Sequence, residues 1–283
     1  MRHSIIPTLG VVTVMTMATS ASASWFYTTS EVGIAAELVG TDLVPDIGVN
    51  RTYRIWAVMP EGWRLDAVAG NSEFGLRFEV IGGAFYQNGF GGPTSTSINP
   101  AFFSLDPDVE WDSFLTIGLL SNTGNELNTI GIDWTNFGVS GTLLETDNGS
   151  LFILPTDVQG NATAFSDSCG SNGHGVLIGQ LTIVGEGASI EGSVLLQGHD
   201  DLGATWQAHI SNYSIDSQGV SDALPQIMCA ADMTGDEQVN IIDLLHLLEF
   251  WYDGSCEDIT RDLVVDVDDM LLVLDSWGPC AVE

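Results

Sequence analysis

Ala231-Asp-Met-Thr-Gly-Asp-Glu-Gln-Val-Asn-Ile-Ile-Asp-Leu-Leu245 is followed by a second segment of the same pattern, Glu257-Asp-Ile-Thr-Arg-Asp-Leu-Val-Val-Asp-Val-Asp-Asp-Met-Leu271. If the first Asp of each segment is position 1, oxygen-bearing side chains occupy positions 1, 3, 5, 9 and 12 in both. They are Asp232, Thr234, Asp236, Asn240 and Asp243 in the first segment, and Asp258, Thr260, Asp262, Asp266 and Asp269 in the second. Acidic turns arising by chance do not explain two copies in register, so we interpret the segments as two units with one role.

This spacing of oxygen atoms is typical of a 12-residue calcium-binding loop. Its ligands are side chains at positions 1, 3, 5, 9 and 12, together with the backbone carbonyl of position 7. Position 7 is Gln238 in the first segment and Val264 in the second. Because Ca²⁺ takes six to eight hard oxygen ligands in a flexible cage, we predict that residues 232–243 (loop 1) and 258–269 (loop 2) each bind one calcium ion.

Each loop leads directly into an apolar run with the character of a short helix. The runs are Leu244–Trp251 and Met270–Trp277, followed by Gly254 and Gly278. A glycine just beyond an apolar run is a common end of a helix. Position 8 is Val239 in loop 1 and Val265 in loop 2, the usual place for a short β contact between paired loops. The sequence therefore predicts two loop–helix units, with no comparable helix before either loop.

Residues Cys229 to Cys280 resemble a type I dockerin, the duplicated loop–helix calcium module that plugs into cohesin domains in polysaccharide-degrading assemblies. The resemblance implies two bound calcium ions and a cohesin-like or other docking protein as the partner. At positions 10 and 11, where the family usually has a Ser-Thr pair that contacts the partner, this chain has Ile241-Ile242 and Val267-Asp268.

Position 6 also departs from the family, which usually has Gly there. It is Glu237 in loop 1 and Leu263 in loop 2, and a left-handed backbone at a non-Gly residue costs about 1–2 kcal/mol. Loop 2 has a further carboxylate, Asp266, where loop 1 has Asn240. Since a charge pair at about 4 Å is worth on the order of 4 kcal/mol at an effective dielectric near 20, we expect both loops to bind calcium.

The first 23 residues have the pattern of a secretory signal. Arg2 and His3 precede an apolar core, and Ala21-Ser22-Ala23 forms a small-x-small cleavage site. The apolar core is too short and too interrupted to span a membrane. We therefore expect a secreted protein, extracellular or at the cell surface, without a membrane span.

Charge excludes one class of partner. The chain has 38 Asp and Glu residues against 6 Lys and Arg residues, and its formal net charge is −32. Nonspecific nucleic-acid binding needs a basic face, so we expect no nucleic-acid partner. Salt or divalent cations should stabilise so acidic a surface by screening its self-repulsion.

The four cysteines are candidates for disulfides in an exported protein. They are Cys169, Cys229, Cys256 and Cys280. A Cys229–Cys280 bridge would join the two ends of the C-terminal module, with Cys256 left for Cys169 or free, although the other pairings stay open. No CxxC pair indicates a zinc site.

Residues 24–213 predict a mainly β domain, most simply a jelly-roll-like β-sandwich. Apolar or alternating runs separated by Gly, Asn, Asp and Pro indicate its strands. The predicted strands are Ile34–Leu38, Thr52–Met59, Leu65–Ala69, Leu76–Ile81, Phe114–Leu119, Thr129–Asp133, Gly175–Ile183, Ala188–Gln197 and Ala204–Ile210. Residues 214–225 have the composition of a linker, and residues 226–283 form the dockerin-like module.

The β domain has no recognisable catalytic motif. Glu79, Asp112, Glu145 and Glu191 are candidates for a carboxylate pair that cleaves sugars, but acids are too numerous for a pair to stand out. Asp106-Pro-Asp-Val-Glu-Trp-Asp112 has acids at every second position, and an extended segment would place them on one side, as a further cation site or a solvated edge. An exposed Trp63 or Tyr86 would suit stacking on a sugar.

Three functions fit these observations. The first is a non-catalytic binding domain docked to a cell-surface or polysaccharide-associated assembly, with polysaccharide as a further partner. The second is a carbohydrate-active enzyme, a glycoside hydrolase or lyase, attached through the same module. The third is a surface or matrix protein that calcium orders.

Overall fold

The computed structural model describes residues 27–29, 31–166, 172–216, 219–221, 231–234, 238–249, 251, 259 and 265–280. This part of the chain is mainly β, as predicted, with two multi-stranded sheets in residues 27–221. The strands there are β1 Tyr27–Thr28, β2 Gly33–Thr41, β3 Asn50–Val58, β4 Arg64–Gly70, β5 Leu76–Ile81, β6 Ala84–Phe85, β7 Phe114–Leu115, β8 Asn128–Ile130, β9 Leu143–Thr146, β10 Gly149–Phe152, β11 Thr163–Ser166, β12 Asn172–Val184, β13 Ser189–His199, β14 Thr205–Asp216 and β15 Gly219–Ser221. The C-terminal module contains β16 Gln238–Val239, α1 Ile241–Glu249, α2 Val267–Asp275 and β17 Gly278–Pro279.

The strands of residues 27–221, which we call the body, form two sheets. Sheet A has the order β1-β14-β13-β4-β10-β8, with β15 beside β14, β5 beside β13 and β9 beside β5. Sheet B has the order β11-β12-β3-β2, with β6 and β7 beside β12. The pairs are antiparallel except for β1 and β14, which run parallel.

One hydrophobic core joins the two sheets. On β3, Tyr53, Ile55 and Ala57 are buried while Arg54 and Trp56 between them are partly exposed, the period-two pattern of a strand with one core face. The same core includes Phe78 and Leu196 of sheet A. Two sheets around one core are consistent with the predicted sandwich, and jelly-roll connectivity stays a prediction.

The outer face of sheet B is covered by residues 86–116. Residues 175–183 of β12 are all buried, as in strands that are enclosed on both faces. Polar groups fill the interface: the Thr182 hydroxyl donates to the Trp111 carbonyl at 2.5 Å, and the Ser113 hydroxyl donates to the Thr182 carbonyl at 3.0 Å. Gln180 Nε2 donates to the Glu110 carbonyl at 2.8 Å. Side-chain bonds therefore hold a segment that has little regular structure.

Gly198 lies where β4 and β13 meet over the core, and we expect Gly198→Ala to destabilise the body by about 1–3 kcal/mol through overpacking. An added Cβ would lie 1.8 Å from the Arg64 carbonyl oxygen and 2.6 Å from the Trp206 ring. Gly89→Ala is the matched control, because a Cβ there meets nothing within 4 Å. Thermal unfolding measures both, and an unchanged midpoint for Gly198→Ala would contradict this packing.

Several predictions meet the limits of the described residues. The signal at residues 1–23 lies outside them, as do Cys169, Cys229 and Cys256. The predicted linker, residues 214–225, is partly β, since β14 continues to Asp216 and β15 pairs with it; residues 222–230 are not described. Within the described chain, no helix has the length and apolarity needed to cross a membrane.

Candidate calcium-binding module

The two helices of the module are equivalent in position and length. α1 and α2 each have nine residues, and each begins at position 10 of its loop. Side chains at positions 9 and 12 cap both helices. In loop 1, Asn240 Oδ1 accepts from Ile242 N at 2.8 Å and Asp243 Oδ2 accepts from Asn240 N at 2.8 Å. Asp266 and Asp269 do the same in loop 2, at 2.8 and 2.9 Å. These side chains satisfy N–H groups that a helix start leaves unpaired.

A small core packs equivalent residues of the two repeats together. Val239 and Val265 at position 8 are buried, as are Leu247 and Val273 at position 16. The position-12 carboxylates, Asp243 and Asp269, are both 0% exposed. Matching burial at three positions shows that the two segments fold in the same register.

Three oxygen-bearing residues of loop 1 converge. The Thr234 hydroxyl donates to Asp243 Oδ1 at 2.9 Å and lies 3.3 Å from Asp232 Oδ1. The Thr234 N–H also donates to Asp243 Oδ1, at 3.0 Å. Helix capping accounts for positions 9 and 12 alone, so the approach of positions 1 and 3 to Asp243 is an additional property of the loop.

The Asp243 carboxyl is held in its charged form. Burial would by itself raise its pKa, but hydrogen bonds from the N–H of Asn240 and from the N–H and hydroxyl of Thr234 lower the pKa below its usual value. A carboxylate that accepts several hydrogen bonds is stabilised in the ionised state. Asp243 is therefore negatively charged at neutral pH, as a cation ligand must be.

The oxygens of loop 1 fit calcium in type and spacing. Calcium–oxygen bonds of about 2.3–2.6 Å bring neighbouring ligand oxygens to about 3–3.5 Å from one another, the separation found among Asp232, Thr234 and Asp243. Asn240 Nδ2 donates to the Gln238 carbonyl at 3.2 Å, so positions 7 and 9 are also adjacent. Within the described residues, no three His, Cys, Asp or Glu side chains form a metal-binding group. Asp236, Asp258, Thr260, Asp262 and Val264, five of the twelve predicted ligands, lie outside those residues.

The structure corrects one expectation about the loops. Val239 does not pair with Val265: β16 pairs antiparallel with β17, placing Val239 opposite Gly278 and Gln238 opposite Pro279. The strand contact of loop 1 is therefore made with the chain just beyond α2. The pattern of loop residues could not reveal this pairing, since Gly278 and Pro279 are outside the repeat.

The module exposes apolar side chains along both helices, which we call the apolar helix surface. Leu245 is 56% exposed and Leu271, its equivalent in the second repeat, is 55% exposed. The other members are Ile241, Ile242, Leu248, Val267, Leu272, Leu274 and Trp277. Isolated exposed apolar residues are ordinary, but a group of this size on two short helices marks an interaction surface.

Cys280 ends the described module and is disulfide-bonded. Its Sγ atom lies 3.8 Å from Asp232 Oδ2, and the residue packs against the module core. The predicted Cys229 partner lies outside the described residues, so the Cys229–Cys280 pairing stays a prediction.

On the body, two of the predicted catalytic candidates face each other. Glu79 on β5 is directly opposite Glu191 on β13, and Arg77 forms an ion pair with Glu79. Like charges directly opposite each other on neighbouring strands are destabilising. A cleft of about 500 Å³ on the same sheet is lined by Arg77, Glu145 and Ser193, among others. Sequence alone could not pair Glu79 with Glu191, because the register of distant strands brings them together.

The acidic stretch at residues 106–112 is not extended. Pro107–Trp111 forms a 3₁₀ helix capped by Asp106, whose side chain accepts from Asp108 N at 3.2 Å. The prediction that alternate acids share one side is therefore wrong, because a helical turn directs them differently. Asp112 is buried, accepting hydrogen bonds from the N–H groups of Asn88, Gly92 and Ser113.

The aromatic residues proposed for sugar stacking are also placed. Trp63 is buried and stacks on Trp206, with ring centroids 5.8 Å apart, so it belongs to the core. Tyr86 is partly exposed, and its hydroxyl accepts from Asn88 Nδ2 at 3.1 Å. A further aromatic pair, Trp56 and Phe165, stacks with nearly parallel rings 4.8 Å apart; both rings are partly exposed.

Comparison with known proteins adds no relative: the chain matches no protein-family model and no curated protein.

Proposed function

We propose that this is a secreted calcium-binding protein whose C-terminal dockerin-like module attaches the β body to an extracellular or cell-surface assembly. In this proposal each loop binds one Ca²⁺. The observation that carries it is the pair of buried carboxylates at equivalent positions, Asp243 and Asp269, with Asp232 and Thr234 gathered around the first. Burying two carboxylates in a module this small is costly unless a cation compensates them.

The apolar helix surface is the docking site in this proposal. Its partner would be a protein, cohesin-like or of another family, that offers an apolar patch to Leu245 and Leu271. The chain's net charge of −32 favours a partner with basic residues around that patch. Ile241-Ile242 and Val267, in place of the Ser-Thr pair of type I dockerins, make the surface more apolar and point to a partner with different specificity.

Calcium titration of the chain lacking residues 1–23 tests the proposal. We expect two ions bound per chain by calorimetry, with a gain of helical signal in far-ultraviolet circular dichroism. Calcium is the only ligand that the test needs, so it does not depend on identifying the partner. Binding of no ion would overturn the proposal and leave the function to the body.

Size-exclusion chromatography with and without calcium separates docking from calcium-ordered self-assembly. A chain that docks to another protein stays monomeric when calcium is added, whereas a matrix protein associates with itself. Leu245→Asp with Leu271→Asp would abolish any such association if the apolar helix surface mediates it. Leu105→Asp with Val158→Asp, at exposed apolar positions of the body, is the matched control.

For the body we propose a non-catalytic binding role, with polysaccharide as the ligand class. The second candidate, a glycoside hydrolase or lyase, is favoured by the opposed Glu79 and Glu191 beside Arg77. Opposed residues have Cβ atoms about 4.5–5.5 Å apart, and retaining glycosidases hold their two carboxyl groups at about 5–5.5 Å. Reducing-end release from soluble polysaccharides, lost in Glu79→Gln and Glu191→Gln but kept in the exposed control Glu61→Gln, would establish the enzyme. No release by the unmodified chain leaves the binding role.

A further inference from the structure

The chain beyond α2 returns to loop 1 at a residue that calcium binding requires to be in place. β17 lies antiparallel to β16, with Pro279 opposite Gln238. Gln238 is position 7 of loop 1, whose backbone carbonyl is an expected ligand. That carbonyl accepts from the Asn240 side chain at 3.2 Å, so it faces the neighbouring ligand position. β17 therefore supports the part of the loop that supplies a main-chain ligand.

The next residue, Cys280, reaches the opposite end of the same loop. Its Sγ atom is 3.8 Å from Oδ2 of Asp232, the residue at position 1. Cys280 is disulfide-bonded, which fixes it covalently to the rest of the protein. The three residues Gly278–Cys280, which we call the terminal segment, thus contact loop 1 at positions 1, 7 and 8.

Loop 2 differs from loop 1 in this respect. Val265, at position 8 of loop 2, is buried in the module core but belongs to no strand. Among the described residues 265–269 of loop 2, none pairs with a strand. The two loops are alike in sequence pattern and helix capping, and unlike in what holds them.

We propose that the terminal segment is a positioning element for the calcium site of loop 1, making that site the tighter of the two and sensitive to the state of the Cys280 disulfide. This inference rests on the proposed calcium binding. Ligands that are already in place bind an ion more tightly, because less conformational entropy is lost on binding. Loop 1 gains this advantage from β17 and the disulfide, and loop 2 does not.

Gly278 offers a way to disturb the terminal segment without a steric clash. Its φ is +131°, which L side chains rarely adopt, and a Cβ there would meet nothing within 4 Å. Gly278→Val therefore strains the backbone of β17 alone. Gly203→Val is the matched control: φ is +81°, the space is equally open, and the residue lies in the connection between β13 and β14.

Calorimetric titration of calcium into the chain lacking residues 1–23 should show two unequal sites. We expect Gly278→Val to weaken the tighter site about tenfold and to leave the weaker site unchanged, while Gly203→Val changes neither. Repeating the titration in Asp258→Ala, where only loop 1 can bind, and in Asp232→Ala, where only loop 2 can, assigns the affected site. Equal weakening of both sites, or none, would overturn the inference.

Equilibrium dialysis keeps the test decisive if a single-loop variant does not fold. At a free calcium concentration between the two dissociation constants, the unmodified chain should hold one ion, and Gly278→Val should hold fewer. If the unmodified chain binds no calcium, the proposed function fails. If it binds two ions and Gly278→Val leaves both affinities unchanged, only the role of the terminal segment fails.

Reduction tests the disulfide arm. Dithiothreitol supplies two electrons and two protons, converting Cys280 and its partner to thiols while becoming a cyclic disulfide itself. We expect reduction to weaken the loop 1 site about as much as Gly278→Val does, and to have no further effect on Cys280→Ser. An unchanged isotherm after reduction, with thiol release confirmed, would remove the disulfide from the proposal.

Discussion

Chelation of calcium is expected to remove the signal of α1 and α2 from the far-ultraviolet circular dichroism spectrum, while the β signal of the body remains. Five fully buried side chains form the module's described core: Ala231, Val239, Leu247, Val265 and Val273. A core of this size rarely stabilises a fold without metal or disulfides. When the cation is removed, the clustered carboxylates repel one another, and the free energy of calcium binding is lost from folding.

Asp232→Ala with Asp258→Ala should reproduce the effect of chelation even in excess calcium, because each variant removes the first ligand of a loop. Glu249→Ala with Asp275→Ala is the matched control. It removes the same number of charges from equivalent exposed positions at the ends of the helices. Helical signal retained by the Asp232 and Asp258 double variant in excess calcium would refute metal-dependent folding.

Asp112→Ala is expected to lower the unfolding free energy of the body by about 3 kcal/mol, because three backbone N–H groups lose their acceptor. Asp112 Oδ1 accepts from Asn88 N at 2.8 Å and from Ser113 N at 3.0 Å, and Oδ2 accepts from Gly92 N at 2.8 Å. For a domain of this size the midpoint of thermal unfolding should fall by roughly 6–12 °C. The exposed neighbour Glu110→Ala is the control, and a midpoint equal to that of the control would contradict the anchoring role of Asp112.

The same carboxyl makes the stability of the body depend on pH. Burial raises the pKa of Asp112 to about 7, although hydrogen bonds from Asn88, Gly92 and Ser113 oppose the rise. Because this folded-state pKa is above the unfolded value near 3.9, the contribution is complete below about pH 4 and is lost as pH rises through about 7. The decrease is on the order of 4 kcal/mol. Chemical denaturation of wild type and Asp112→Asn across this range measures it, and the difference between the two should vary with pH. A constant difference would show that Asp112 does not titrate there.

The strands of the body were largely predictable, since alternation and turn residues are local signals. All nine predicted strands overlap observed ones, and Leu76–Ile81 has the predicted bounds. The strands missed were short or weakly alternating: β9, β10 and β11 have four residues each. Phe114–Leu119 was predicted too long, because the chain turns away from β12 after Leu115 and continues with bonds from Thr116 and Gly118 to Ile178 and Leu177.

The candidate calcium site was predictable in its residues and not in its supports. A repeated pattern fixed the ligand positions of both loops, and the burial of Asp243 and Asp269 agrees with their place at position 12. The β16–β17 pair and the proximity of Cys280 to Asp232 arise from the return of the chain after α2. No local pattern encodes that return. Long-range strand register likewise decides that Glu79 faces Glu191.

Divergence of this sequence over evolution should be most constrained where residues 86–116 cover sheet B. Each polar side chain there has a partner on β12 or in the segment itself, so an insertion would shift several partners together. Gly91 can accept no side chain, because a Cβ would lie 1.8 Å from Asp112 Oδ2. The connection at Gly203 has open space around it and can change in length. Among descendants of a common ancestor, the covering segment should therefore keep its length while connections of that kind vary, and its spacing would be the trait by which distant members of the lineage are recognised.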